Sequence, residues 1–274
     1  MKRLALSALV SVALAGVAPA QRPPDTVFLE ELTWDEVRDL LAAGKTSIIV
    51  ATAGTEQKGP HMVMGEHRFV LEHTTNAIAR ALGNALVAPI ITYVPEGNWD
   101  PPSGHMRYAG TITLPNDRFM LLLDHAVRSL KGGGFKEIIL IGDSGGNQNG
   151  MRDVAAKLDA EWKGTGVRVF WIGDYYETAM AAQRRWITDS LGIPGNQIGS
   201  HAGILDTSEL LAVNPAHVRM DKRAPNGGAE GSGVSGDPTK ATADIGRKLL
   251  QIKVDHAVRQ IRALRAAPSP GDTP

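Results

Sequence analysis

The sequence predicts a three-layer α/β/α sandwich around a mostly parallel central sheet. Three observations carry this. Short apolar runs rich in β-branched residues recur along the chain, helical spacings of apolar residues separate them, and glycines cluster where run meets helix. A strand apolar at every position must be covered on both faces, as strands of a parallel sheet between helix layers are.

The elements follow in order. Ser47 to Ala53 reads as a buried strand ending at Gly54. His67 to Leu82 places Val70, Leu71, Thr74, Ile78 and Leu82 at helical spacing. Ala85 to Val94 is a second strand. Asn116 to Lys131 is a helix with Phe119, Leu122, Leu123, Ala126, Val127 and Leu130 on one side, ended by Gly132-Gly133-Gly134. Ile138 to Ile141 is a short apolar strand, Asn149 to Trp162 a helix, and Val167 to Ile172 a fourth strand. Thr178 to Leu191, Asp206 to Val213 and Ala241 to Leu264 complete the helices. Residues 221–238, rich in Gly, Asn, Pro and Asp without apolar period, form a long loop.

Residues 1–20 read as a signal peptide: basic Lys2 and Arg3, an apolar run from Leu4 to Val17, then Ala18-Pro19-Ala20 before a cleavage point at Gln21. The run is shorter than the ~20 apolar residues of a membrane span. Residues 21–265 are then a single domain in the periplasm or outside the cell, and 266–274 a disordered tail. Without Lys2 and Arg3, 27 basic residues face 29 acidic ones. That balance predicts no nucleic-acid partner, and the mature form has no membrane segment. With no cysteine there is no disulfide, so stability must come from core, metal or oligomer. The 221–238 loop offers a place for an interface, since a long ordered loop needs something to pack against.

Two segments at strand ends carry the chemistry: Glu56-Gln57-Lys58-Gly59-Pro60-His61, continuing to Glu66-His67, and Gly142-Asp143-Ser144-Gly145-Gly146-Asn147. A third run is His201-Ala202-Gly203-Ile204-Leu205-Asp206-Thr207-Ser208. Taken in order, with His105 before Gly110-Thr111-Ile112 and with Gly233 to Pro238, these resemble the motifs of the creatininase family of amidohydrolases. The resemblance covers nearly all the mature chain. It implies a creatininase-like sandwich that hydrolyses a C–N amide bond of a small or cyclic substrate, and, since that family forms closed multimers and this chain has no disulfides, a homo-oligomer. Two adjacent metals would polarise the carbonyl and activate water there.

The family pattern implies Glu56 as a metal-binding position. Lys58 stands where the family has a ligand His, His67 where it has the bridging Asp, and Ser144 where it has a second ligand His. A protonated lysine cannot ligate, and an imidazole cannot bridge two ions as a carboxylate does. Serine is a poor ligand for Zn²⁺ or Mn²⁺. The expectation is therefore at most one divalent ion, Zn or Mn, per chain, with Glu56 and His67 as the surviving metal positions. The resemblance further implies His201 as general acid/base, with Asp206 as its orienting acid. Lys58, His105, Asp143, Ser144 and Asn147 are expected to line the substrate pocket. The alternative is a non-catalytic protein that holds a small ligand in the same pocket. A serine nucleophile is a third reading, because Gly142-Asp143-Ser144-Gly145-Gly146 fits Gly-x-Ser-x-Gly, with Asp174 and His201 later in the chain.

Overall fold

The structure, a computed structural model, describes residues 24–267. Residues 1–20, expected to be a signal peptide, and residues 268–274 of the expected tail lie outside the described residues. In order the chain forms α1 (Trp34–Ala42), β1 (Ser47–Thr52), α2 (Glu66–Leu82), β2 (Ala85–Val87), α3 (Asn116–Gly132) and β3 (Glu137–Gly142). There follow α4 (Gln148–Glu161), β4 (Arg168–Trp171), α5 (Glu177–Leu191), the short α6 (Gly195–Ile198), α7 (Ile204–Val213) and α8 (Ala243–Ala266). Among the described residues no helix is long and apolar enough to cross a membrane.

The four strands pair in parallel in the order β2-β1-β3-β4. Successive side chains of a strand point to opposite faces. Ile49, Ala51, Ile139 and Ile141 pack under α2 and α8, against Leu71, Ile78, Ala257 and Ile261. Ile48, Val50, Ile138 and Leu140 pack under α3 and α4, against Phe119, Leu123, Val154 and Leu158. Helices thus cover both faces, and the fold is the three-layer sandwich that the apolar runs predict.

Three details differ from the sequence reading. The second strand stops at Val87 and its regular pairing with β1 ends at Ala88, whose N donates to Ile49 O at 2.8 Å; the next bond comes one residue late, from Ile91 and not Ile90. There Ile91 N donates to Ala51 O at 2.9 Å and Ala53 N to Ile91 O at 2.8 Å. Helix α1 was not anticipated. Thr33 and Glu36 form a capping box at its start, and Val37, Leu40 and Leu41 rest partly buried on the α3–α4 side. Helix α8 runs to Ala266, two residues beyond the expected end at Leu264 and onto the first residue of the expected tail.

The strand order reverses between β1 and β3, since β2 lies beyond one and β4 beyond the other. Paired Thr52 and Gly142 end these strands side by side. An open parallel sheet leaves its crevice at such a switch point, outside the carboxyl ends of the strands. The 221–238 loop closes over this edge by contacts within the chain. Gln57 Nε2 donates to Gly233 O at 3.0 Å, Ser235 N to His201 O at 2.8 Å, and Asp237 N to Gln197 O at 2.8 Å. A Cβ on Gly199 would lie 1.7 Å from Ser235 O, so only glycine allows that approach. The loop's packing partner is therefore its own chain, and the loop gives no reason of its own for an interface.

Candidate active site

Three connections supply the site. The segment after β1 carries Glu56 and Lys58 and leads into Glu66 and His67 on the first turn of α2. The β3–α4 turn carries Asp143 and Ser144. The turn into α7 carries His201 and Asp206. All of these except Glu66, together with Glu96, His105 and Lys253, line a cavity of about 550 Å³, within the usual size for a small-molecule site.

On the cavity floor, acid and base alternate in one continuous row. Asp206 Oδ2 lies 3.2 Å from Lys58 Nζ, which lies 3.1 Å from Glu56 Oε1. Glu56 Oε1 lies 2.8 Å from His67 Nε2, and His67 Nδ1 lies 3.0 Å from Asp143 Oδ2. Asp143 Oδ1 accepts from Lys253 Nζ at 2.7 Å, and the same ammonium donates to Glu209 Oε2 at 2.6 Å. Glu209 Oε1 then accepts from Gln183 at 2.7 Å. Most of the row is buried; Asp206 keeps about a quarter of its side chain exposed.

The charge states follow from these contacts. Burial opposes the ammonium of Lys58, but Asp206, Glu66 and Glu56 outweigh it and hold its pKa well above the ordinary lysine value. Burial and then Lys58 oppose a charged His67, yet Glu66, Asp143 and Glu56 raise its pKa well above that of free imidazole. Lys253 is likewise held charged against burial by Asp143 and Glu209. Burial works against the carboxylates too, but Lys58 holds Glu56 and Asp206 below the ordinary range and Lys253 does the same for Asp143. Burial wins at Glu66, whose pKa is raised, at Glu209, pushed to about 7, and at Glu96, pushed to about 9 with Glu56 adding to the effect. Glu66 Oε2 is 3.2 Å from both Lys58 Nζ and His67 Nδ1 but accepts no hydrogen bond from either.

The histidines at the mouth are arranged differently. His201 Nε2 donates to Gln57 O at 2.8 Å, which leaves the Nδ1 lone pair facing Glu56 Oε1 at 3.9 Å. Burial and then Lys58 lower its pKa to about 4. The His105 ring lies against it, centroids 4.5 Å apart. Gln57 fixes the His105 tautomer. Gly59 N donates to Gln57 Oε1, so the amide nitrogen is the atom 3.2 Å from His105 Nδ1. That nitrogen can only donate. His105 Nδ1 therefore accepts, and Nε2 carries the proton aimed at Glu56 Oε2, 2.9 Å away.

The sequence-predicted residues fall as follows. Glu56, Lys58, His67, His105, Asp143, Ser144, His201 and Asp206 all line the cavity. Asn147 does not. It is fully buried, and its Nδ2 donates to Thr52 O, Thr52 Oγ1 and Ala53 O, clamping the end of β1 to the start of α4. Asp206 accepts from Ala202 N at 2.7 Å and from Lys58, not from His201, so the orienting acceptor of His201 is the Gln57 carbonyl. His67 has both nitrogens turned to carboxylates, the arrangement of a doubly donating cation and not of a ligand with a free lone pair. Among the described residues no hydrogen bond joins Ser144 to a histidine, and Asp174 accepts from Thr178, so no serine triad is assembled. Sequence reasoning missed Glu66, Glu96, Glu209 and Lys253. Glu96 packs against Gly54, where a Cβ would lie 2.3 Å from Glu96 Oε1, a closeness that the sequence does not reveal.

A carboxylate- and imidazole-lined cavity at the switch point of a covered parallel sheet is the usual setting of an α/β enzyme site. The profile of the creatininase family, described as creatinine amidohydrolase, matches residues 30–261. This chain belongs to that family. A mycofactocin precursor peptide peptidase of Mycobacterium tuberculosis is 28% identical over 247 residues, covering 81% of this chain and 86% of its own. A creatinine amidohydrolase of Pseudomonas putida is 25% identical over 207 residues, covering 72% of this chain and 75% of its own. Among solved structures, a Mn creatininase superposes with a TM-score of 0.72 at 22% identity, covering 88% of this chain and all of its own. A mutant creatininase of Zn-Zn type gives 0.67 at 21%, covering 88% and 99%. These two likenesses establish the fold.

Among the described residues two groups of side chains have metal-ligand spacing: Glu66, His67 and Asp143, and Glu56, His105 and His201. The first is closed off, with His67 donating from both nitrogens and Lys58 and Lys253 against its carboxylates. In the second, His105 presents a proton at Nε2, so Glu56 and His201 Nδ1 remain, one donor short of the three protein ligands of a catalytic Zn²⁺. A two-ion centre does not fit these residues.

Proposed function

We propose that this protein hydrolyses a C–N amide bond of a small or cyclic substrate bound in the cavity at the ends of β1 and β3. Family membership supports the reaction class, and so do the names of the relatives, a peptide peptidase and a creatinine amidohydrolase. The observation that carries the reading is His201. Its proton is fixed on Nε2 by the Gln57 carbonyl, and its bare Nδ1 faces the cavity. In that state it takes a proton from water as the oxygen adds to the amide carbon. Glu96, held protonated by burial, is the acid able to deliver a proton to the leaving nitrogen as the C–N bond breaks. Lys58 supplies fixed positive potential beneath the reacting carbonyl. No step requires a metal.

The test is turnover of a panel of cyclic amides, creatinine, hydantoin and dihydrouracil among them, and of short peptide amides, with product read by mass spectrometry. Hydrolysis by the wild type, lost in His201→Gln, supports the reading. Saturable binding with no turnover of any member would replace it with the second reading, a non-catalytic ligand-binding protein. The filling of the family's metal positions by the chain's own cations favours that alternative. We further propose export to the periplasm or medium with cleavage before Gln21, on the order of basic, apolar and small residues. Intact mass of the exported protein decides it, and a retained Met1 would reject it. Homo-oligomer formation is likewise a proposal, resting on the family resemblance and the absence of disulfides. Light scattering that finds only monomer at micromolar concentration would reject it.

A further inference from the structure

We propose that this chain carries its own cations in place of divalent ions. The ammonium groups of Lys58 and Lys253, with the His67 ring between them, neutralise the cavity floor, and the folded protein needs no metal. Nothing in the family resemblance assigns Lys253. It reaches the floor from α8, and its placement is built into the packing of α7 on α8. A Cβ on Gly246 would lie 1.8 Å from Ser208 O, so the two helices touch there. Lys253 follows two turns later on the same face, flanked by the buried Leu249, Leu250 and Val254.

Three arguments converge. The two ammonium groups are buried and lie within 2.6 to 3.2 Å of carboxylate oxygens, contacts that leave no room for an ion at the ~2.0–2.2 Å of a metal–carboxylate bond. The cations come from three separate elements: the segment after β1, α2 and α8. The floor is thus cross-linked as a shared ion would cross-link it. Acid and base alternate without a break from Asp206 to Glu209, so no carboxylate in the row lacks a cationic neighbour. The inference does not depend on whether the site hydrolyses amides.

The experiment reads metal content and thermal unfolding, not activity, so its outcome is separate from that of the hydrolysis assay. Wild-type protein produced with Zn²⁺ and Mn²⁺ in the medium should carry substoichiometric metal, and its Tm should be unmoved by a chelator. Lys58→Ala leaves Glu56, Glu66 and Asp206 around a void. At a ~100-fold excess over Kd, Mn²⁺ or Zn²⁺ should raise the variant's Tm by roughly 5–10 °C. The wild type should not respond. A variant that folds only with added ion counts the same way. One or two ions per wild-type chain, removed by chelator with a fall in Tm, would overturn the proposal. So would a folded variant with no response to either ion. If the variant is insoluble under all conditions, the two wild-type measurements decide.

Discussion

Lys253 Nζ lies 2.7 Å from Asp143 Oδ1, joining the middle of the last helix to the end of a central strand. The same ammonium holds Glu209 of α7 at 2.6 Å, and all three residues are buried. The contact ties α7, α8 and β3 together directly under the cavity. Removing one partner of a buried pair costs more than the pair contributes, because the other charge stays behind unpaired.

Lys253→Met should therefore destabilise the protein by ~3–5 kcal/mol. Chemical denaturation at neutral pH measures it. Glu209→Gln should cost much less than Asp143→Asn, since Glu209 titrates at about 7 and is already partly neutral there, whereas Asp143 is held ionised. Equal losses for the two would contradict this assignment of charge.

Gly246→Ala places a methyl group against the Ser208 carbonyl and must push α8 away from α7. A loss of ~1–3 kcal/mol is expected for such overpacking. Because Lys253 lies on the displaced face, ligand affinity should fall along with stability. A stability loss of that size with affinity unchanged would separate the helix contact from the site.

Stability should depend on pH on both sides of neutrality. Glu96 has its pKa raised from 4.5 to about 9, so its contribution is complete below 4.5 and is lost as pH rises toward 9. Between pH 7 and 9 it alone should lower stability by up to about 1.4 kcal/mol per pH unit. Glu96→Gln should flatten that slope in a urea-unfolding series. His61 and His201 are shifted the other way, from 6.5 to about 4, chiefly by burial. Their contribution is present above 6.5 and is lost as pH falls toward 4. A wild-type curve that stays level from 7 to 9 would show that Glu96 is not held neutral.

Asn147→Ala should lose the clamp on Thr52 and Ala53, at ~1–3 kcal/mol for buried groups left unpaired. Its effect should appear in unfolding curves. A change in substrate affinity without loss of stability would instead restore the ligand-contact role that the motif suggests.

The sequence makes the layers legible because every position of β1 and all but the first of β3 are buried, and an unbroken apolar run has few other readings. It also brings Glu56, Lys58, His67, Asp143 and His201 to one cavity through motif order. What it hides is pairing. A lysine among leucines on a helix ordinarily extends to water along its apolar stem, and only the 110-residue jump from Asp143 shows Lys253 to be a buried partner. Glu96 sits in a loop without period, so spacing says nothing of it. Asp206 and His201 share a motif, but the backbone carbonyl of Gln57 holds the imidazole, and backbone acceptors leave no trace in residue identity. Ala85 to Val94 reads as one strand because it is β-prone nearly throughout, yet the regular ladder breaks after Ala88, where Ile91 and not Ile90 makes the next bond to β1.

The central claim is that a creatininase-family site works here through His201 and internal cations, without a divalent ion. The most direct measurement is the rate of amide hydrolysis by chelator-treated protein of verified zero metal content, beside His201→Gln under the same conditions. The account predicts that the treated wild type keeps its full rate and that the variant loses it by a factor of 10²–10⁴, the usual worth of a general base. A treated wild type that is inactive until Zn²⁺ or Mn²⁺ is restored would contradict it.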